Sequence, residues 1–450
     1  MPRMANPELP IPDGLVLRPF HGVRFAVDDL AEVTSPPYDL IAENDVRELL
    51  DSHPNNVVRL ILPGADRHRY AEAREILGSW LSSGVLVVDA APAVYVYEQA
   101  GQGVLQRGLI GDVGLAAPGQ RVILPHEDVM PGPVADRLAL MRTTEANLEP
   151  IFLLYEGRGG AATRLVDRVA ATRPPLTEAE TRDGVRHRLW AVTDPAELSE
   201  LDDDLRDRSA LIADGHHRYA TYRALQAEHH AAGSRTGRDE PGPWDFGLAL
   251  LVDVEAYPPE LKAIHRVIPG LPLGEAVARA RGAWQVHEHA DLAKGLAALE
   301  EATGPAFLLS DGGPTHLLTD PDPCQLEHAM PADRSARWRA LNTSVLTEFL
   351  LPKVWGMQDD EHSVRIVHHD PEAAVRLARD SGGTAVLLNP LAVDDVLAVA
   401  AQNERVPRKS TSFGPKPRTG LILRLLTVQP DRRPRPSGED GSPSPGGPPR

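Results

Sequence analysis

What most constrains this chain is the way its apolar residues change period. Short runs suited to strands alternate with stripes at helical spacing. The first segment holds apolar runs at 14–20 and 23–27, then the turn Pro36-Pro37-Tyr38-Asp39, whose prolines fix an extended backbone. Residues 69–83 place Tyr70, Ile76, Leu77 and Trp80 on one stripe, and Gly84 just beyond reads as a helix terminator. From residue 86 to 114 the pattern becomes β-rich: Val87-Val88, Val94-Tyr95-Val96-Tyr97 and Gly108-Leu109-Ile110-Gly111, separated by Gly- and Pro-containing turns. A helix near 134–146, a strand at 150–155, a helix near 160–172 and a strand ending at Trp190 follow. The expected class is α+β, a mixed α/β fold, and no fixed-period repeat points to a solenoid or propeller.

Charge narrows the function. The chain carries 64 acidic against 47 basic side chains, a net charge of -17, which repels a polyanion over most of the surface. With only 5% aromatic residues there is no evident base-stacking platform either, so nucleic acid is not an expected partner. One cysteine, Cys324, can form no internal disulfide and no paired-cysteine zinc site, which fits a reducing compartment. No signal-peptide pattern opens the chain and no stretch of about 18 uncharged apolar residues interrupts it, so a cytoplasmic protein without a membrane span is expected. The sequence carries no signal for oligomeric state.

Three polar motifs carry the chemistry. In the first, Leu211-Ile212 leads into Ala213-Asp214-Gly215-His216-His217-Arg218-Tyr219, followed by Ala220, Ala224, Ala227 and Ala231 on one helical face. That reads as strand, glycine turn and helix start. N–H groups in a first helical turn lack internal partners and can hold phosphate, with Gly215 allowing close approach and Arg218 adding a charged contact. Asp214 is open to two readings, a helix cap or a magnesium ligand. His216 and His217 can be metal ligands, phosphate donors or polar residues of a helix start, and being adjacent they point in different directions.

The second motif, Leu124-Pro125-His126-Glu127, follows Val122-Ile123 and precedes Arg137 and Asn147. A carboxylate at a strand end can act as general base toward a hydroxyl. The third is the basic, hydroxyl-rich run at 407–418, with Lys409, Ser410, Thr411 and Lys416, which is either a cover for bound phosphates or a solvated loop. Pro54-Asn55-Asn56-Val57-Val58-Arg59 and Ile264-His265-Arg266 mix ionic or amide groups into apolar surroundings and read as ion-paired core elements, with a ligand contact as the alternative. Residues 233–244 have the composition of an exposed loop, and neither a Gly-x-x-x-x-Gly-Lys-Ser/Thr loop nor a protein-kinase motif set is present.

In this order, Pro36 to Asp39, His53 to Asn56, Leu124 to Glu127, the run 147–155, Ala213 to Tyr219 and Lys409 through Gly420 resemble the DUF1015 family. The resemblance spans about residues 15–426. Its central part is similar to the ParB/sulfiredoxin-like superfamily, above all to free-serine kinases, which carry a His-Glu pair and a later Asp-Gly-His-Thr-Arg stretch. His217 stands here where those kinases have threonine.

The resemblance implies a ParB/sulfiredoxin-like core at about 86–232 with additional α/β elements, inside a globular region 15–426. A flexible start, 1–14, and a disordered tail, 427–450, flank it on composition. It implies Glu127 as base with His126 and Asp214 in the catalytic group. His216 and Arg218 become nucleotide or phosphate contacts and Asp214 the magnesium ligand, while Gly215, His217, Arg137, Lys409 and Lys416 join the expected phosphate contacts on charge and position alone. The implied activity is a kinase-like phosphotransferase using Mg2+ and ATP or ADP on a small hydroxyl metabolite such as L-serine. The alternatives are a phosphatase or nucleotide hydrolase, and a non-catalytic nucleotide-binding switch.

Overall fold

The computed structural model describes residues 14–64, 67–232, 241–360 and 362–427. The expected flexible start up to residue 13, the tail from residue 428 and positions 233–240 of the expected loop lie outside the described residues.

The alternation in the sequence becomes a mixed α/β architecture. Its largest sheet has nine strands. In spatial order these are Ile123–Leu124, Ala210–Asp214, Ile151–Tyr155, Phe246–Asp253, Val104–Gly114, Val94–Gly101, Arg186–Val192 and Thr177–Glu180, with Leu17–Arg18 paired to Val104–Gly114. Ile123–Leu124 runs parallel to Ala210–Asp214, and Ile151–Tyr155 parallel to Phe246–Asp253; the other pairings are antiparallel. Ile151–Tyr155 is apolar throughout because it is covered on both faces, with no residue more than 2% exposed. Each such side chain contributes about 1.5–3 kcal/mol by leaving water. Helices Ala161–Thr172 and His216–Ala231 pack against this sheet.

An antiparallel six-stranded sheet follows, in the order Gln285–His289, Thr315–Thr319, Phe307–Ser310, Thr384–Leu387, Ile264–Ile268 and Arg365–His368. Helices Leu292–Glu300 and Pro371–Asp380 pack against it. A four-stranded sheet orders Leu86–Val88, Gly22–Phe25, Leu423–Leu425 and Ala146–Asn147. The last described segment therefore ties the units together: Phe413–Gly414 pairs with Glu260–Leu261, and Leu423–Leu425 lies between strands from early in the chain.

Helix Arg67–Ser82 buries Tyr70, Ala73, Leu77 and Trp80, and Gly84 at φ 78 turns the chain after it. Helix His216–Ala231 is different. Its alanine face looks outward, with Ala227 and Ala231 exposed, while the inward face carries His216, Arg218, Tyr219, Thr221, Tyr222, Leu225 and Gln226. A helix that lines a polar site turns its polar residues in, and its small residues then mark the outside.

Candidate functional site

Strand Ala210–Asp214 delivers the chain to Gly215, whose φ of 91 and ψ of 30 are left-handed and open helix His216–Ala231 at once. A Cβ at Gly215 would lie 3.0 Å from Ile151 Cγ2 and 3.1 Å from Arg218 Nε, so both the dihedral and the space call for glycine. No side chain caps this helix, and its first N–H groups are left for another partner. Asp214 does not cap it: Oδ2 accepts from Arg218 Nη2 at 2.5 Å and Oδ1 pairs with Lys416 Nζ at 2.5 Å. Burial alone would push the Asp214 carboxyl up, but Lys416 and Arg218 outweigh it and hold the group below the usual carboxylate range.

Lys416 also donates to Asp39, so one ammonium bridges two carboxylates. Asp39 is brought there by the Pro36-Pro37 turn, which runs into the short helix Tyr38–Leu40. The Tyr38 ring stacks under the guanidiniums of Arg137, at 4.8 Å, and Arg218, at 5.9 Å, and its N–H donates to Glu149 Oε1 at 3.1 Å. Thr419 donates to the same Glu149 oxygen at 2.9 Å, closing the base of the site.

His126 and Glu127 arrive by strand pairing. Ile123–Leu124 lies parallel to Ala210–Leu211, so the residues just past both strands meet. The buried His126 ring stands edge-on to His216 with centroids 4.5 Å apart, and the His126 N–H donates to His216 Nε2 at 3.3 Å. Burial lowers both imidazoles, His126 well below its ordinary value and His216 to about 3, so both are neutral. Thr411 links the pair: its hydroxyl donates to Glu127 Oε1 at 2.9 Å and lies 2.7 Å from His126 Nε2. A hydroxyl has one proton to give, so Thr411 accepts from His126, which assigns the Nε2–H tautomer. Burial raises the Glu127 carboxyl, against hydrogen bonds from Thr411 and the N–H groups of Ser410 and Thr411 and against the charge of Lys409.

The 407–418 run covers these groups and is held from the six-stranded sheet. Arg266, fully buried, donates through Nη2 to the carbonyls of Arg408 at 3.1 Å and Lys409 at 3.0 Å. Val406 N–H donates to the His126 carbonyl at 2.9 Å, Lys262 N–H to that of Ser412 at 3.0 Å, and His369 Nε2 lies 2.6 Å from Ser412 Oγ. Lys409, with φ 54, is exposed at the surface of the run.

Of the residues expected at the site, His126, Glu127, Asp214, Gly215, His216, Lys409 and Lys416 come together. Arg218 is present but turned inward, with Nη1 on the Pro150 carbonyl at 2.6 Å and Nη2 on Asp214. His217, half-buried, accepts from Met130 N–H at 3.1 Å, and its ring still feels the charges of Lys409, Asp39 and Asp214 at the site. Arg137 binds Asp136 at 2.6 Å and the Ile61 carbonyl at 2.6 Å, against the outer face of Tyr38. Sequence reasoning missed Asp39, Glu149, Thr411 and Arg266 as site residues, although each lies inside a motif it had marked. Among the described residues no group of three or more His, Cys, Asp or Glu is placed to hold a metal ion by itself. Among the described residues, no helix is long and apolar enough to cross a membrane.

The fold and site define a mixed α/β protein with a polar centre at a strand–glycine–helix junction. The chain belongs to the family described as "Protein of unknown function (DUF1015)", whose model matches residues 17–344. No curated protein matches it. Among solved structures it is similar to SbnI with C-terminal truncation from Staphylococcus aureus, at 12% identity and TM-score 0.36, over 72% of this chain and 90% of that one. It is similar also to a free serine kinase in complex with AMP, at 13% identity and TM-score 0.33, over 68% and 87%. A third is a conserved hypothetical protein from Pyrococcus furiosus, at 12% identity and TM-score 0.31, over 68% and 90%.

Proposed function

We propose that this chain is a nucleotide-dependent phosphotransferase acting on a small hydroxyl compound, with L-serine the first candidate. One observation carries the reading. An uncapped helix N-terminus, a strand-end carboxylate, a lysine-bearing run and the His126–Glu127 pair converge on one place. Phosphoryl transfer asks little covalent chemistry of a protein and much positioning and charge neutralisation. In this reading the N–H groups at the start of helix His216–Ala231 take phosphate oxygens, and Lys416 and Lys409 neutralise them. Glu127, kept by burial above the ordinary glutamate range, takes the proton of the attacking hydroxyl.

ATP or ADP is the donor in this proposal, and Mg2+ its companion. The residues as placed do not offer the ion a free carboxylate, because Asp214 Oδ1 faces Lys416 and Oδ2 faces Arg218; magnesium would be carried by the phosphate oxygens of the donor. When bound, the ion neutralises charge on the transferring group. A cytoplasmic setting goes with the reading, since the exposed Cys324 is a free thiol.

The test is phosphorus NMR of the protein with magnesium, ATP or ADP and a panel of hydroxy amino acids headed by L-serine. A new phosphomonoester resonance that disappears in Glu127→Gln supports the proposal. Release of free phosphate alone moves it to a hydrolase, and bound nucleotide with an unchanged spectrum moves it to a switch.

A further inference from the structure

The hydroxyl that Glu127 actually holds belongs to the protein. Thr411 Oγ1 donates to Glu127 Oε1 at 2.9 Å, within the reach at which a base activates a nucleophile, and is oriented by His126 Nε2 at 2.7 Å. The position is built. Ser410 Oγ donates to the Pro407 carbonyl at 2.6 Å, Arg266 holds the two carbonyls before Ser410, and Phe413–Gly414 is paired with Glu260–Leu261. Hydroxyl, base and orienting imidazole thus form a set of the kind that activates serine and threonine nucleophiles. Lys409 places positive charge beside Glu127, where an incoming phosphoryl group needs it.

We propose that Thr411 is itself a phosphoryl acceptor and that the protein carries a phosphothreonine on its 407–418 run. The proposal rests on the nucleotide-donor reading above. In the step, a bond forms between Thr411 Oγ1 and the terminal phosphorus of a nucleoside triphosphate as the bond from that phosphorus to the bridging oxygen breaks. The hydroxyl proton passes to Glu127 Oε1. The nucleoside diphosphate leaves with the electron pair. No oxidant or further reactant is required.

The experiment incubates the full chain with magnesium and γ-labelled ATP, without added acceptor, and maps phosphate by mass spectrometry after digestion. The expected result is label on Thr411, reduced at least tenfold in Thr411→Val and in Glu127→Gln and retained in Thr411→Ser. Mapping on the wild-type chain decides the matter even if Thr411→Val fails to fold. Label confined to other residues overturns the proposal. So does an unlabelled Thr411 when a parallel incubation with L-serine yields a soluble phosphomonoester, which leaves the phosphotransferase reading standing. Neither label nor product, with intact protein, overturns both.

Discussion

Lys416 Nζ lies 2.5 Å from Asp214 Oδ1, so the carboxylate that ends strand Ala210–Asp214 is neutralised from within the chain. The same ammonium reaches Asp39, and both lysine and strand-end aspartate are largely buried, at 11% and 12% side-chain exposure. A cation therefore holds the proline turn, the strand end and the 407–418 run in one piece.

Lys416→Met removes that cation and leaves the largely buried Asp214 carboxylate with Arg218 alone and the exposed Asp39 without its lysine partner, at a cost of about 3 kcal/mol at pH 7. Because the fold holds Asp214 below the usual carboxylate range, its contribution is present above about pH 4 and is lost as pH falls through its folded value. Urea unfolding should show a gap between wild type and variant that is widest at pH 7 and shrinks as the pH falls through the folded value. Equal gaps would refute the assignment.

His216 titrates at about 3 in the fold against an ordinary value near 6.5. The unfolded chain binds the extra proton first, so stability present above pH 6.5 is lost as the pH falls toward 3. Between pH 7 and pH 5 this one histidine should cost about 2 kcal/mol. His216→Gln should flatten that part of the stability profile; an unchanged slope would show that the ring is not held neutral.

Glu127 is kept above its ordinary value by burial, while both site imidazoles are kept neutral. Under the proposed function, the acid limb of turnover against pH should lie above about 4.3, the ordinary glutamate value, with no second inflection near 6.5. A limb at 6.5 that disappears in a histidine variant would reassign the base.

Gly215→Ala forces a side chain into a backbone at φ 91, at about 1–2 kcal/mol, and adds a contact of 3.0 Å with Ile151. The start of the helix must shift, so nucleotide affinity measured by calorimetry should fall at least tenfold. Unchanged affinity would mean that phosphate does not use this helix end.

Arg266→Met removes the donor that holds the carbonyls of Arg408 and Lys409. Burial brings Arg266 to about 10, so it is still charged at neutral pH and its hydrogen bonds are charge-assisted. Hydrogen exchange at residues 408–412 should accelerate at least tenfold, with less change in the central strands. Protection equal to wild type would show that the run is anchored by its other contacts.

Much of the site was legible where it is local. Ala213 to Tyr219 reads as strand, turn and helix because each step is fixed by its neighbours, and the structure forms those elements there. His126 and Glu127 were visible as residues but not as neighbours of His216; their meeting depends on a parallel pairing between strands far apart in sequence. Thr411 lies 284 positions from the carboxylate it donates to, and Lys416 lies 377 from Asp39, distances at which no periodicity gives information. The alanine stripe of helix His216–Ala231 shows a different limit. Pattern rules expect small apolar residues inside, whereas a helix lining a polar site buries its hydrogen-bonding face.

Strand Leu423–Leu425 lies between Gly22–Phe25 and Ala146–Asn147, and the residues that cover Glu127 immediately precede it. During synthesis the nine-stranded sheet has all its strands once residue 253 has left the ribosome, while the four-stranded sheet still lacks one of its two inner strands. A nascent chain can thus fold its largest unit long before it owns a lysine to set between Asp39 and Asp214. Lys416 is among the last parts of the centre to be made, and a chain halted after the six-stranded sheet would hold the proline turn and the strand end without the cation that joins them.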